Sequence, residues 1–189
     1  MGRPRGFDTD AAFRRLYATF RMKGFSGTSL DELGAASGVA RPSLYSAFGD
    51  KRAMYLRALA TVAELVEESA DRHEALQLPL QELLERWFDD CVESYVSGDQ
   101  GQGGCLAIGT ATAEAVSDPE IRAALDHVFR AIDKRIGLWI AEAGSPDVAG
   151  KTALVAALMH SLSLLARAGY SADELTSRWR ASLPIILRS

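Results

Sequence analysis

From Phe13 to Leu183 apolar residues return every third or fourth position and never settle into sustained alternation. That spacing lines one face of a helix and leaves no convincing strand. Phe13, Leu16, Tyr17 and Phe20 predict a first helix over about residues 8–23, with Gly24 at its end. Thr28 sees Asp31 and Ser29 sees Glu32 at capping-box distance, so either can open a second helix that closes at Gly38. A third runs from about Arg41 to Phe48 before the Gly49-Asp50 break. Longer helices follow. Tyr55, Leu59, Val62 and Val66 line the fourth, and Leu80, Leu84, Trp87, Cys91 and Tyr95 line a fifth that starts at Pro79. A glycine-rich stretch at 98–104 separates these from a sixth helix, Cys105 to about Val116. The seventh opens at Ser117-Asp118-Pro119-Glu120, the eighth at Ser145-Pro146, and the ninth at Ser171 with Glu174; Pro184 is expected to end or kink this last one. The expectation is an all-α fold of about nine helices.

With 189 residues the chain can bury a core without staples, and its two cysteines, Cys91 and Cys105, are too few for a disulfide scaffold. Free thiols and the absence of a recognisable leader make a cytoplasmic location the expectation. The most apolar segment, near Leu154 to Ala168, is broken by His160, Ser161, Ser163 and Arg167, so no membrane span is expected. Charge is divided unevenly. Residues 1–57 hold ten Lys and Arg against five Asp and Glu, whereas residues 58–189 hold eleven against twenty, which hides a basic head inside a net charge of −4. A basic head of this kind suits nucleic acid, although one small basic segment also arises without meaning.

Three short helices, the second and third joined by Ser37-Gly38-Val39-Ala40, have the layout of a helix-turn-helix. Gly38 supplies positive φ at the turn, and Val39 plugs the angle between the helices. In the third helix Leu44 and Phe48 lie four apart and point inward, which leaves Arg41, Ser43, Tyr45 and Ser46 outside. A guanidinium, two hydroxyls and a phenol are donors suited to phosphates and base edges in a major groove.

The run Gly24-Phe-Ser-Gly-Thr28-Ser-Leu-Asp-Glu-Leu33-Gly-Ala-Ala-Ser-Gly38-Val-Ala-Arg-Pro-Ser-Leu44-Tyr-Ser-Ala-Phe48-Gly-Asp-Lys51 resembles the DNA-binding head of TetR-family transcriptional regulators. The resemblance covers about 50 residues; the rest is similar in helix number and length only. It implies a homodimeric repressor that binds an inverted-repeat operator in double-stranded DNA and leaves it when a small molecule enters the body. It divides the chain into a DNA-binding domain at 1–50 and an effector-binding and dimerisation domain at 51–189. By position it implies that Thr28 caps the second helix and touches phosphate, that Arg41, Pro42 and Ser43 face the groove, and that Tyr45 and Lys51 contact the backbone. Ala40 departs from the family's frequent Ser, and Ser46-Ala47 from its aromatic or His pair, which puts any base contact by Ser46 in doubt. Arg3 and Arg5 form either an arm reaching DNA or a plain tail.

The remaining body carries no enzymatic constellation. His73, His127 and His160 make no metal-ligand pair, and the glycine stretch lacks a phosphate-loop ending, so neither metal nor cofactor is expected. Cys105 opens a helix, where the dipole favours a thiolate. This leaves open a thiol-sensing or effector-free regulator, and a small all-α enzyme using Cys105. Leu65, Trp87, Cys91, Cys105, Ile108, Phe129 and Trp139 are candidate walls for an apolar or aromatic effector. The eighth helix has Leu154, Leu158, Leu162 and Leu165 on one stripe and small residues opposite, which suits either a central core helix or a subunit contact. With the apolar face of the ninth it places Leu158, Leu162, Leu165, Leu175, Trp179 and Leu183 at a dimer interface.

Overall fold

The computed structural model describes residues 7–97 and 102–188. Arg3, Arg5 and positions 98–101 of the glycine stretch lie outside them. Among the described residues there are nine helices and no strand: α1 Thr9–Lys23, α2 Leu30–Ser37, α3 Arg41–Phe48, α4 Lys51–Glu74, α5 Leu80–Val96, α6 Leu106–Ala111, α7 Pro119–Glu142, α8 Val148–Arg167 and α9 Ala172–Arg188.

Local chemistry sets most of the boundaries. Asp8, Asp50 and Asp118 accept from first-turn N–H groups of α1, α4 and α7, and Pro119 stands at the first position of α7, where its missing donor costs nothing. Ser29 caps α2 in a full capping box: Glu32 N–H donates to Ser29 Oγ at 3.2 Å, and Ser29 N–H to Glu32 Oε2 at 2.7 Å. Ser29→Ala is therefore expected to cost about 1 kcal/mol, read as a lower urea midpoint at unchanged slope.

Thr28 is not the cap. It is 2% exposed, and its hydroxyl donates to Gly24 O at 2.7 Å, so its side chain holds the α1–α2 turn. α6 also falls short of expectation, ending at Ala111. Thr110 and Thr112 turn their hydroxyls onto Leu106 O and Gly109 O, and the Ala113, Glu114 and Ala115 N–H groups all fold back to Thr110 O. Pro184 neither ends nor bounds α9, which continues to Arg188.

The core is continuous from the first three helices into the rest. Leu44, Phe48 and Val39 are buried under α3, with Phe48 5.8 Å from Phe13 and the Arg57 guanidinium of α4 4.1 Å from the Phe13 ring. Behind them α4 packs on α7, where Arg135 is clamped by Glu67, Asp71 and Glu74 of α4, and Trp139 Nε1 donates to the same Glu74 at 2.8 Å. On the far side α5, α8 and α9 pack together, with Phe88 stacked on Trp179 at 5.6 Å.

By length and composition alone α8 is apolar enough to cross a bilayer. Here Val155, Met159, Leu162, Ser163 and Ala166 face the bundle core. This settles which side of α8 faces inward, and it corrects the expected interface. Leu162, Leu175, Trp179 and Leu183 are all buried within their own chain and present nothing to a partner. Leu158 and Leu165 are half-buried. The outward stripe is Leu154, Ala157, Leu158, Ser161, Leu164, Leu165 and Ala168, spaced three and four apart, with Leu154 52% and Leu164 45% exposed.

Candidate nucleic-acid interface and effector cavity

The α2–α3 unit is built around a left-handed residue. Gly38 sits at φ +70°, caps α2 through Gly34 O, and lets the chain turn sharply into α3. Arg15 of α1 ties this turn down by donating to Ser37 O at 3.2 Å. α3 has no side-chain cap, as Ala40 foretold. Arg41, Pro42, Ser43, Tyr45 and Ser46 are all exposed, whereas Leu44 and Phe48 are buried, so the predicted outer face is the one the structure presents. Arg41 lies half-exposed in an ion pair with Asp31 of α2. Lys51 does something its position in sequence did not announce. Its ammonium donates to Thr28 O at 2.7 Å and lies 4.2 Å from the Phe25 ring centroid, supporting the α2 N-terminus from behind and leaving two N–H donors for other partners.

Away from α3, residues of α1, α4, α5, α7 and α8 line a cavity of about 480 Å³ that opens to solvent, within the usual range for small-molecule sites. Four of the expected wall residues meet there: Leu65, Trp87, Cys91 and Cys105. Ile108, Phe129 and Trp139 do not. Trp139 stands behind Trp87, edge-on at 4.8 Å and tied to Glu74; Phe129 pairs with His160 at 5.0 Å; Ile108 is buried in α6. The walls that sequence reasoning missed include Val62, Val66, Ile132 and Met159 and, from α1, Tyr17 and Arg21.

Both thiols line the pocket and are held protonated. Burial pushes the Cys91 thiol up to about 12, and burial also raises Cys105 above the ordinary thiol value, outweighing the N–H groups at the start of α6. Gly104, at φ +60°, lets the backbone pass Ser163 so closely that a Cβ would fall 2.6 Å from Ser163 O; Cys105 N–H then donates to Ser163 Oγ at 2.8 Å. Cys105 is thus a wall residue fixed against α8, in line with the pocket-lining role expected of it. Alkylation of both cysteines by iodoacetamide at pH 8 is expected to run at least about tenfold slower in the native chain than in urea, followed by intact mass.

A tri-helical unit with a polar outer face, carried on a helical body, has the layout of a helix-turn-helix DNA-binding protein. Residues 15–58 match the family model described as bacterial regulatory proteins, tetR family. Its N-terminal segment is thus similar to the DNA-binding part of TetR-family transcriptional regulators. The chain is 32% identical over 123 residues to the HTH-type transcriptional regulator YezE of Bacillus subtilis (strain 168), a match covering 64% of this chain and 62% of that one. It is 27% identical over 184 residues to the HTH-type transcriptional repressor BdcR of Escherichia coli (strain K12), covering 92% and 86%. Among solved structures it is similar to the TetR-family regulator CifR in complex with 26-base-pair operator DNA, with 26% identity, a TM-score of 0.79 and 99% of each chain covered.

Proposed function

We propose that this protein is a repressor that binds an inverted-repeat operator as a homodimer and is released by a small, mainly apolar effector. The observation that carries the reading is the α3 face, where Arg41, Pro42, Ser43, Tyr45 and Ser46 stand exposed on a helix whose opposite side is locked into the core. Arg41 and Ser43 supply donors for base edges, Tyr45 and Lys51 for phosphates, and Pro42 and Ser46 shape the contact. Thr28 leaves the set of side-chain contacts. On this reading residues 1–50 form the DNA-binding domain and 51–189 the effector and dimer domain, with Tyr17 and Arg21 of the first reaching into the cavity of the second.

The outward stripe of α8, with Ile185 of α9 69% exposed, is the surface for a second copy, since alanine and serine between the leucines let two helices approach closely. The cavity supplies the effector site. Its lining of Val62, Leu65, Val66, Trp87, Ile132 and Met159 favours an apolar or aromatic molecule. α4 starts at the DNA-binding unit and lines this cavity 11 residues later at Val62, so a tilt of one rod changes both sites. The relatives are named as transcriptional regulators, which supports a non-enzymatic role acting on DNA in the cytoplasm. Burial of both thiols weighs against the thiol-sensing alternative and against an enzyme using Cys105.

The test is selection of operator fragments from a random DNA pool by the purified chain. Enrichment of an inverted repeat, retarded in a gel and released by an apolar small molecule from a screened collection, is the expected result. A pool that stays random after repeated rounds would refute it.

A further inference from the structure

Arg21 belongs to α1, on the DNA-binding side, yet its guanidinium is spent on the body. Nε donates to Gly104 O at 2.7 Å, and Nη2 reaches Ser94 O, Tyr95 O at 3.1 Å and Ser97 O at 3.1 Å. Ser94 and Tyr95 stand in the last turn of α5 and Ser97 is its C-cap, where a helix leaves carbonyls without helical partners, so an arginine from another element caps α5 and ties it to Gly104. The arrangement is reciprocated. Arg167 at the end of α8 donates to Arg21 O at 2.8 Å and Met22 O at 2.9 Å, the last carbonyls of α1, and to Gly103 O at 3.1 Å. Two guanidiniums thus bind the C-termini of α1 and α5 into one knot.

Arg21 and Tyr17 also line the effector cavity, together with Ser94, Tyr95, Ser97, Gly104 and Cys105 from the segments that Arg21 grips. A molecule entering the cavity therefore meets the DNA-binding unit itself. Six residues upstream on the same helix, Arg15 holds Ser37 O at the α2–α3 turn. α1 is one rigid helix of 15 residues, so a shift at its C-terminal end is carried to that turn. Ser26, in the α1–α2 loop, is held to the body by its N–H and hydroxyl, both donating to Glu114 at 2.9 Å. This second tie acts as a pivot about which α1 can move.

We propose that Arg21 is the positioning residue that reports cavity occupancy to the DNA-binding unit: filling the cavity pulls its guanidinium off the α5 carbonyls, and α1, released, loosens the turn that aims α3. This deepens the effector reading above and rests on it, adding a route through α1 beside the α4 rod. Linkage fixes the signs. A molecule that binds better to the unlatched form weakens operator binding, and removing Arg21 favours that form without any molecule present.

Because the effector is unidentified, the cavity is filled by substitution. Hydrogen exchange is followed in the full chain for wild type, Cys91→Trp, Arg21→Gln and the double variant. Gly24 N–H, bonded to Phe20 O at the end of α1, and Gly38 N–H, bonded to Gly34 O at the turn, report the latch; Leu175 N–H, at the start of α9, is the control. Each single variant is expected to speed exchange at Gly24 and Gly38 at least about fivefold, with Leu175 unchanged, and the double variant to go no further than the faster single one. Unchanged Gly24 and Gly38 in the filled protein would overturn the proposal. So would rates that multiply in the double variant, or acceleration that includes Leu175. If Cys91→Trp does not fold, Ser94→Trp fills the same cavity from the same helix and is read in the same way. None of these readouts involves DNA, so failure of the latch and failure of the repressor reading are told apart by the operator selection.

Discussion

Arg41→Ala is expected to weaken operator binding by roughly 30-fold or more, since a lost guanidinium contact to a base costs about 1–3 kcal/mol and an inverted repeat engages it twice. The structure adds a second component. Arg41 is paired with Asp31, so its removal leaves a carboxylate on the DNA-facing side with no partner there, and repulsion from phosphate adds to the loss. Asp31→Asn should then act in the opposite direction, tightening binding several-fold at low salt while lowering stability by about 0.3–1 kcal/mol, because an acidic residue in the first turn of α2 favours the helix. Fluorescence anisotropy over a salt series, beside urea unfolding, separates the two effects. Equal affinity of Arg41→Ala and wild type would remove α3 from the interface.

Leu154→Glu combined with Leu164→Glu is expected to give monomers that remain folded, because both side chains are about half exposed in the single chain and only a partner would bury the new charges. Leu162→Glu should do something different in kind. That residue is fully buried against its own chain, so an unpaired carboxylate there should cost on the order of 4 kcal/mol and unfold much of the population. Sedimentation with far-ultraviolet circular dichroism distinguishes helical monomers from unfolded chains. Monomers from Leu162→Glu and dimers from the double variant would reverse the assignment of the two sides of α8.

This reversal shows what the sequence could and could not say. The outer face of α3 was legible because one short amphipathic helix has a single inner side: Leu44 and Phe48 choose it, and the exposure of the rest of α3 follows. α8 has apolar residues on both sides, and period 3.6 identifies two stripes without saying which meets α5, α7 and α9 and which meets solvent. The cavity walls were half legible for the same reason. Periodicity places Trp87, Trp139 and Phe129 on inner faces alike; only the fold decides that Trp87 borders the space, Trp139 backs it, and Phe129 pairs with His160. Thr28 and Ser29 offered two equivalent caps, and the choice fell to Ser29 because Thr28 bonds back to Gly24 O. Arg21 and Arg167 left no mark in the sequence, since their partners are backbone carbonyls, which every residue carries.

Entry of α3 of each subunit into a major groove is tested by dimethyl sulfate footprinting of the selected operator, which reports guanine N7 in the major groove and adenine N3 in the minor. Two symmetric clusters of protected guanine N7, separated by about one helical turn or a multiple of it, are expected, and both should be lost with Arg41→Ala. Protection confined to adenine N3, or a single asymmetric cluster that persists in Arg41→Ala, would contradict groove entry by α3.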